Sequence, residues 1–414
     1  MKGKPAHDST YAVEGILLKM ERLKQGKGQK EVCYGICVPS YLSKIEHAAV
    51  CPEREILAAL FDRLGIAYEK DEAVLSDLEK LTEDYFYRMR YWLDTRSVYD
   101  RLKAHEKTLR YSRYAIEWLL IKGFENRQPD PLLRQMRPHM DGRQNAYYQI
   151  LCSMQTEEAD GQVRLCEEAC AVLQDSYALG SLCEAYFNRG NYTAIHALEQ
   201  RFVAIAVEEG NTAGLAKYFF LNGTAYACLH VEEMMMLYYE RYIRLLQNTG
   251  WKDRNPYLYY NMGATLVSLK KYDEALVYLE KAGACEGLKT DILHKKAIAY
   301  LRMGKKEEGK QILEKLKKAV FDAEQSFMPE NTRFLQFAYQ ELALEYAYEE
   351  DFKERPEYLS VLEKLTDEIR KTKHFGYLYF YKDLIVEAYK RQRKYKKALE
   401  FEQEVSRIAI KNIF

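Results

Sequence analysis

The stretch PYLYYNMGATLVSLKKYDEALVYLEKA, residues 256–282, reads as two helices in close contact. Gly263 and Ala275 are small enough for the two backbones to approach, while Tyr259, Met262 and Leu279 fill the seam. One such pair cannot bury its apolar face alone, so neighbouring copies are expected. A shift of 34 residues brings Thr290, Ala297, Tyr300 and Leu313 into register. Two backward shifts of 40 reach units starting at Ala216, with Gly223 and Tyr226, and at Ser176, with Tyr186 and Tyr192. Looser units start near Gln336, with Ala343, Tyr346 and Phe352, and near Tyr379, with Tyr389, Tyr395 and Ala398. Six helix pairs then account for most of residues 176–414.

The composition agrees. With 21 glycines and 9 prolines in 414 residues, the chain is poor in helix breakers, and its weight of aromatics is tyrosine, 35 against 16 phenylalanines and 3 tryptophans. Hydrophobic content of 48% at zero formal charge excludes a disordered chain. No apolar run approaches the roughly 18 residues of a membrane helix. The first ten residues carry no secretory pattern, so the nine cysteines read as reduced thiols and the expected location is the cytoplasm. The expected fold class is all-α.

The amino-terminal 70 residues are patterned differently. Ile16, Leu17, Met20 and Leu23 make a helical face that stops at Gly26-Lys27-Gly28. A short helix from Gln29 to Tyr34, a break at Gly35-Ile36-Cys37 and a helix from Val38 to Glu46 follow, then a helix over Glu53–Leu64 entered through Pro52. Gly35 sits where a tight turn between crossed helices needs positive φ. Cys33, Cys37, His47 and Cys51 have a metal-like spacing, but not one of the usual structural zinc patterns, and small apolar residues pack at the first two; no metal is expected.

These residues carry two resemblances. Gln29-Lys30-Glu31-Val32, Ile36-Cys37, Ser40-Tyr41-Leu42-Ser43-Lys44-Ile45-Glu46 and Pro52-Glu53-Arg54-Glu55-Ile56-Leu57 resemble the five-helix, lambda-repressor-like helix-turn-helix domain. That resemblance implies DNA contacts from Gln29, Lys30, Val38, Ser40, Tyr41, Ser43 and Lys44, with the last two nearer to phosphate. Pro39 departs from the pattern, standing where relatives carry a hydrogen-bonding side chain. The unit at 256–282 resembles a tetratricopeptide repeat, which implies a right-handed α-solenoid with a concave groove lined by the first helix of each pair. On that analogy Tyr177, Glu184, Phe187, Asn188, Lys217, Phe220, Thr224, Tyr257, Tyr260, Ser268, Asp291, His294, Arg302, Phe337, Gln340, Phe380, Asp383 and Arg391 face a bound peptide. Asn222 and Asn261 are added because peptide-sensing relatives hold the ligand backbone with helix asparagines.

Together the two halves resemble the peptide-sensing transcriptional regulators of Gram-positive bacteria, the PlcR, Rgg, PrgX and NprR type. The implied organisation is a DNA-binding domain over 1–70, a linker helix and degenerate pair over 71–130, and a repeat domain for peptide sensing and dimerisation over 131–414. The implied function is transcription regulation of the quorum-sensing type: a homodimer binds a double-stranded operator of inverted-repeat form, and a short signalling peptide alters that binding. The competing reading is a repeat scaffold that binds and regulates a partner protein, with the head not used for DNA. An enzyme is not expected, since no phosphate-binding glycine loop, HExxH pair or G-x-S-x-G elbow occurs, and neither a cofactor nor a membrane is implied.

Overall fold

The computed structural model describes residues 10–68, 71–156, 158–248, 256–283, 286–326, 332–349, 352–372 and 375–413. Among them all regular structure is helical, and no helix is long and apolar enough to cross a membrane. The chain falls into two compact units, residues 1–185 and 186–414.

The first unit carries α1 (Thr10–Lys24), α2 (Gln29–Cys33), α3 (Pro39–Glu46), α4 (Arg54–Arg63), α5 (Glu72–Arg90), α6 (Arg96–Ala104), α7 (Glu106–Arg110), α8 (Ala115–Asn126), α9 (Pro131–Met136), α10 (Gly142–Ser153), α11 (Ala159–Leu173) and the start of α12 (Ser176–Arg189). Its amino-terminal bundle buries Leu17, Leu18, Leu42, Ile45, Leu57, Leu60 and Phe61 completely. Leu23, expected on the apolar face of α1, is instead 58% exposed, because α1 turns Val13, Leu17 and Leu18 inward rather than the stripe ending at Leu23. Gly15 marks the closest approach: a Cβ there would collide with the carbonyl of Ile45, so α1 and α3 meet backbone to backbone. Phe61 stacks on Tyr68 at 4.9 Å and lies 6.1 Å from Tyr111, which ties α4 to the segment after α7. Tyr111 also donates to Glu21 at 2.9 Å. Burial alone would raise the Glu21 carboxyl, but the bonds from Tyr111 and Gln25 and the cations Lys24 and Arg110 outweigh it and hold it below its ordinary range.

The second unit carries α13 (Tyr192–Ala197), α14 (Glu199–Glu208), α15 (Thr212–Cys228), α16 (Glu232–Asn248), α17 (Pro256–Ser268), α18 (Tyr272–Lys281), α19 (Lys289–Arg302), α20 (Lys306–Ser326), α21 (Thr332–Ala347), α22 (Pro356–Thr372), α23 (Phe375–Arg391) and α24 (Tyr395–Ile413). From α15 onward, successive helices pack in pairs, with α17 and α18 as the pair quoted from the sequence. The small residues do what their size suggests. A Cβ on Gly263 would lie 2.7 Å from Leu279 Cγ and 3.1 Å from the Ala275 carbonyl, and one on Gly223 would lie 2.5 Å from the Tyr239 ring.

The turns explain part of the tyrosine excess. His230, Lys270, Gly304 and Arg393 all take positive φ, between 57° and 76°, in the turns within four of the pairs. The following amide reaches back five residues in each: Val231 to Tyr226, Lys271 to Leu266, Lys305 to Tyr300 and Lys394 to Tyr389, at 2.9–3.0 Å. This is the Schellman termination, whose carbonyl position favours a large apolar side chain packed over the turn. Tyr226, Tyr300 and Tyr389, the tyrosines that recur in the sequence, hold that position. Tyr192 and Tyr395, which the repeat pattern places in two of its units, differ in the structure: Tyr395 is 63% exposed, whereas Tyr192 is buried.

Candidate DNA-facing surface and ligand groove

In the first unit, α2 and α3 are joined by residues 34–38, and Gly35 at φ 74° supplies the reversal. Pro39 is the first residue of α3, where its missing N–H leaves no bond unmade, so its departure from the family pattern has a local structural reason. Leu42 and Ile45 anchor α3 inward. The outward side presents Ser40 and Lys44, beside Val38 at 63% and Tyr34 at 78% exposure, with Lys30 exposed on α2 and Tyr41 and Ser43 half-buried. Gln29 has a different duty: its amide donates to Glu46 Oε2 at 2.8 Å. Arg22 donates to the same carboxylate through Nε at 2.5 Å and Nη2 at 2.9 Å, and through Nη1 to the Lys27 carbonyl at 2.8 Å. That bidentate pair, with Glu46 fully buried, fixes the end of α3 to α1, and the bond from Glu46 holds the Arg22 guanidinium above its ordinary range. Cys33 is buried, Cys37 half-buried and Cys51 exposed, and no group of three metal-ligating side chains gathers among the described residues.

The groove nominees of the second unit divide sharply. Lys217, Phe220, Thr224 and Asn261 are half-buried, Tyr257 is 48% exposed, and Arg302 and Asp383 are exposed. Asn222, Tyr260, Asp291, His294 and Gln340 are buried, the last four at 9%, 2%, 2% and 2% exposure. No open groove lies at Tyr260, Asp291 and His294, because α23 of the same chain covers them. Tyr260 donates to Tyr377 Oη at 3.0 Å, and Tyr377 donates to Asp291 Oδ1 at 2.6 Å, so α17, α23 and α19 share one hydrogen-bond chain. Tyr381 Oη lies 2.7 Å from His294 Nε2, and Lys295 Nζ sits 3.1 Å from the centre of the Phe380 ring. Beyond these contacts α23 packs against α15, and α24 against α13.

Two nominated asparagines serve the scaffold. Asn261 donates to Tyr239 Oη at 2.9 Å and, more loosely, to Thr224 Oγ1 at 3.4 Å, joining α17 to the preceding pair. Asn222 Oδ1 bonds to His196 Nδ1, and the His196 ring stacks on Tyr226 at 4.0 Å. Tyr177 and Glu184 fall in the first unit, where Tyr177 is buried against Trp92 with rings 5.6 Å apart and Glu184 is exposed; Phe187, in the second, is half-buried and contacts Tyr192 at 5.4 Å, and Asn188 is exposed. Lys295, Tyr377 and Tyr381 were not nominated. The signal was present in the run Phe375-Gly-Tyr-Leu-Tyr-Phe-Tyr381, because a helix apolar all round must be covered on every side.

The buried cations make the closed groove pH-sensitive. Burial pulls the Lys295 amine down to about 7, against the opposing pull of Asp291, and burial followed by the nearby Lys295 charge holds His294 well below the usual imidazole range. Both groups bind fewer protons folded than unfolded, so stability rises with pH. The second unit should therefore lose stability as pH falls from about 9 towards 5: the lysine contributes above 7 and the histidine below its unfolded value. Thermal melts across this range should show Lys295→Met flattening the upper part of the slope. A slope equal to that of the wild type would show that Lys295 is not the group responsible.

No protein-family model matches the chain, and no curated protein matches it in sequence. In structure it is similar to a Rap protein in complex with competence and sporulation factor, at 12% identity and a TM-score of 0.59, over 81% of this chain and 98% of that one. Bacillus thuringiensis PlcR in complex with the peptide PapR7 and DNA also matches, at 16% identity and a TM-score of 0.33, over 67% of this chain and 93% of that chain. The likeness to the Rap protein is one of fold, a tetratricopeptide-like helical solenoid.

Proposed function

We propose that the protein is a DNA-binding transcriptional regulator, working as a homodimer, whose repeat unit binds a short signalling peptide and so changes operator affinity. The observation that carries the reading is α3, a short helix held rigid by Leu42, Ile45 and the Arg22–Glu46 pair, with Ser40 and Lys44 turned outward. Its size suits the major groove, Ser40 and Tyr41 towards base edges and Lys44, Lys30 and Ser43 towards phosphate. A ligand role for the repeat accords with the Rap protein, which shares the fold and is known with competence and sporulation factor. On this reading a peptide that reaches Tyr260, Asp291 and His294 must displace α23, so that binding and conformational change are one event. In a dimer the spacing of two heads must match two half-sites about one helical turn apart, and a changed repeat geometry alters that match without touching α3.

Fluorescence anisotropy with duplex DNA from the protein's own promoter tests this. Binding should be salt-dependent; Lys44→Ala should weaken it on every sequence and lower the salt slope by about 1. Ser40→Ala should instead relax preference at one base pair, by about 1–3 kcal/mol. Binding indifferent to salt, sequence and both substitutions would defeat the proposal. The second reading, a scaffold that regulates a partner protein, draws on the same likeness to the Rap protein and expects both substitutions to leave the cellular output intact.

A further inference from the structure

Within the first unit, a cavity of ≈ 170 Å³ opens between α5, α8 and α10. Its floor and walls are Thr82, Phe86, Leu120 and Tyr147, all buried, and its mouth carries Glu79, Glu83 and Asp141 with the cation Arg143. Glu117 lines it as well, and this carboxylate is held in place from one side only. Asp141 and Gln144 form a reciprocal cap at the start of α10: the Gln144 backbone N–H donates to Asp141 Oδ1 at 2.7 Å, and Gln144 Oε1 accepts from the Asp141 backbone N–H at 2.9 Å. The remaining Gln144 Nε2 donates to Glu117 Oε1 at 2.7 Å. Glu117 Oε2 is buried and has no hydrogen-bond partner; the hydroxyl of Tyr147, a residue only 2% exposed, makes no hydrogen bond of good geometry and has the Arg143 guanidinium beside it. A native interior rarely leaves a buried carboxylate oxygen unmatched beside a cavity.

We infer that this cavity is a binding site for an organic monocation, a guanidinium group on a short aliphatic stem, taken up by Glu117 Oε2 and Tyr147 Oη. Four carboxylates against one guanidinium leave the site strongly negative, which selects a cation. A guanidinium is favoured over an ammonium because its several donors lie in a fixed fork, and the acceptors here stand on different walls, α8 and α10. The apolar lining of Phe86 and Leu120 suits the stem. Burial raises the Glu117 carboxyl, so a bound cation also relieves a cost that the free protein carries. This site is independent of the reading given to α3 and to the groove.

Isothermal titration calorimetry on the full chain tests it with two probes, agmatine as a free small molecule and Nα-acetylarginine N-methylamide as the side chain of a polypeptide. Saturable one-to-one binding of either probe supports the site, and the tighter of the two identifies the source. Glu117→Gln keeps the shape and the bond from Gln144 but removes the charge, and should weaken binding at least about tenfold; Tyr147→Phe should weaken it several-fold. Circular dichroism melts of both variants should match or exceed the wild type, which separates loss of the site from loss of the fold. Absence of binding by both probes, or equal binding by wild type and Glu117→Gln, would overturn the inference.

Discussion

Arg22→Met should destabilise the amino-terminal bundle by about 3–5 kcal/mol, the cost of leaving a buried charge without its partner. The side chains of Arg22 and Glu46 are 9% and 0% exposed, so no water replaces the lost guanidinium. Only the Gln29 amide would remain on the carboxylate. Urea unfolding followed by hydrogen exchange at the amides of α1–α4 would measure the loss where it occurs. The double variant Arg22→Met with Glu46→Leu should recover most of it, because an apolar pair of similar volume removes the desolvation cost on both sides. If the single variant cost less than about 1 kcal/mol, the pair would be a surface-like contact and the rigidity assigned to α3 would lose its basis.

Tyr381→Ala should have a comparable effect in the second unit, about 3–5 kcal/mol, since it deletes a ring that is 3% exposed and packed edge-on against Phe380 at 5.0 Å. Tyr381→Phe, which loses only the contact with His294, should cost about 0.5–1.5 kcal/mol and leave the groove closed. The readout is local: amide exchange in α17, α19 and α23 should accelerate together in the alanine variant, because these helices share the Tyr260–Tyr377–Asp291 chain. If a signalling peptide displaces α23, the alanine variant should also bind it more tightly, by about tenfold for every 1.4 kcal/mol removed from the closed form. Unchanged protection in α17 and α19 would mean that α23 does not hold the groove shut.

The features legible in the sequence are local ones. The α17–α18 pair was readable because Gly263 and Ala275 mark a close approach that any larger residue would block, and its copies followed from the same residue types returning at shifts of 34 and 40 residues. The break between α2 and α3 was readable because Gly35 has one conformational use at a helix end, and α3 starts at Pro39, one residue after the expected Val38. Leu23 and Tyr395 were misplaced, since an apolar residue at the right spacing near the end of a helix has no neighbour in the sequence to say whether it is covered.

What the sequence by itself determined is thus the helical class, the register of the repeat and the position of the short outward-facing helix, all set by contacts between residues a few turns apart. Only the tertiary structure decided that the groove is filled. Tyr260 and Tyr377 meet across 117 residues, and that meeting depends on how small rotations accumulate from one pair to the next. The same accumulation buries Asp291, His294 and Lys295 beneath α23, although their spacing in α19 marks them only as one helix face among many. The cavity at Glu117 is of the same kind, since α5, α8 and α10 bring its acceptors together from three separate stretches of chain.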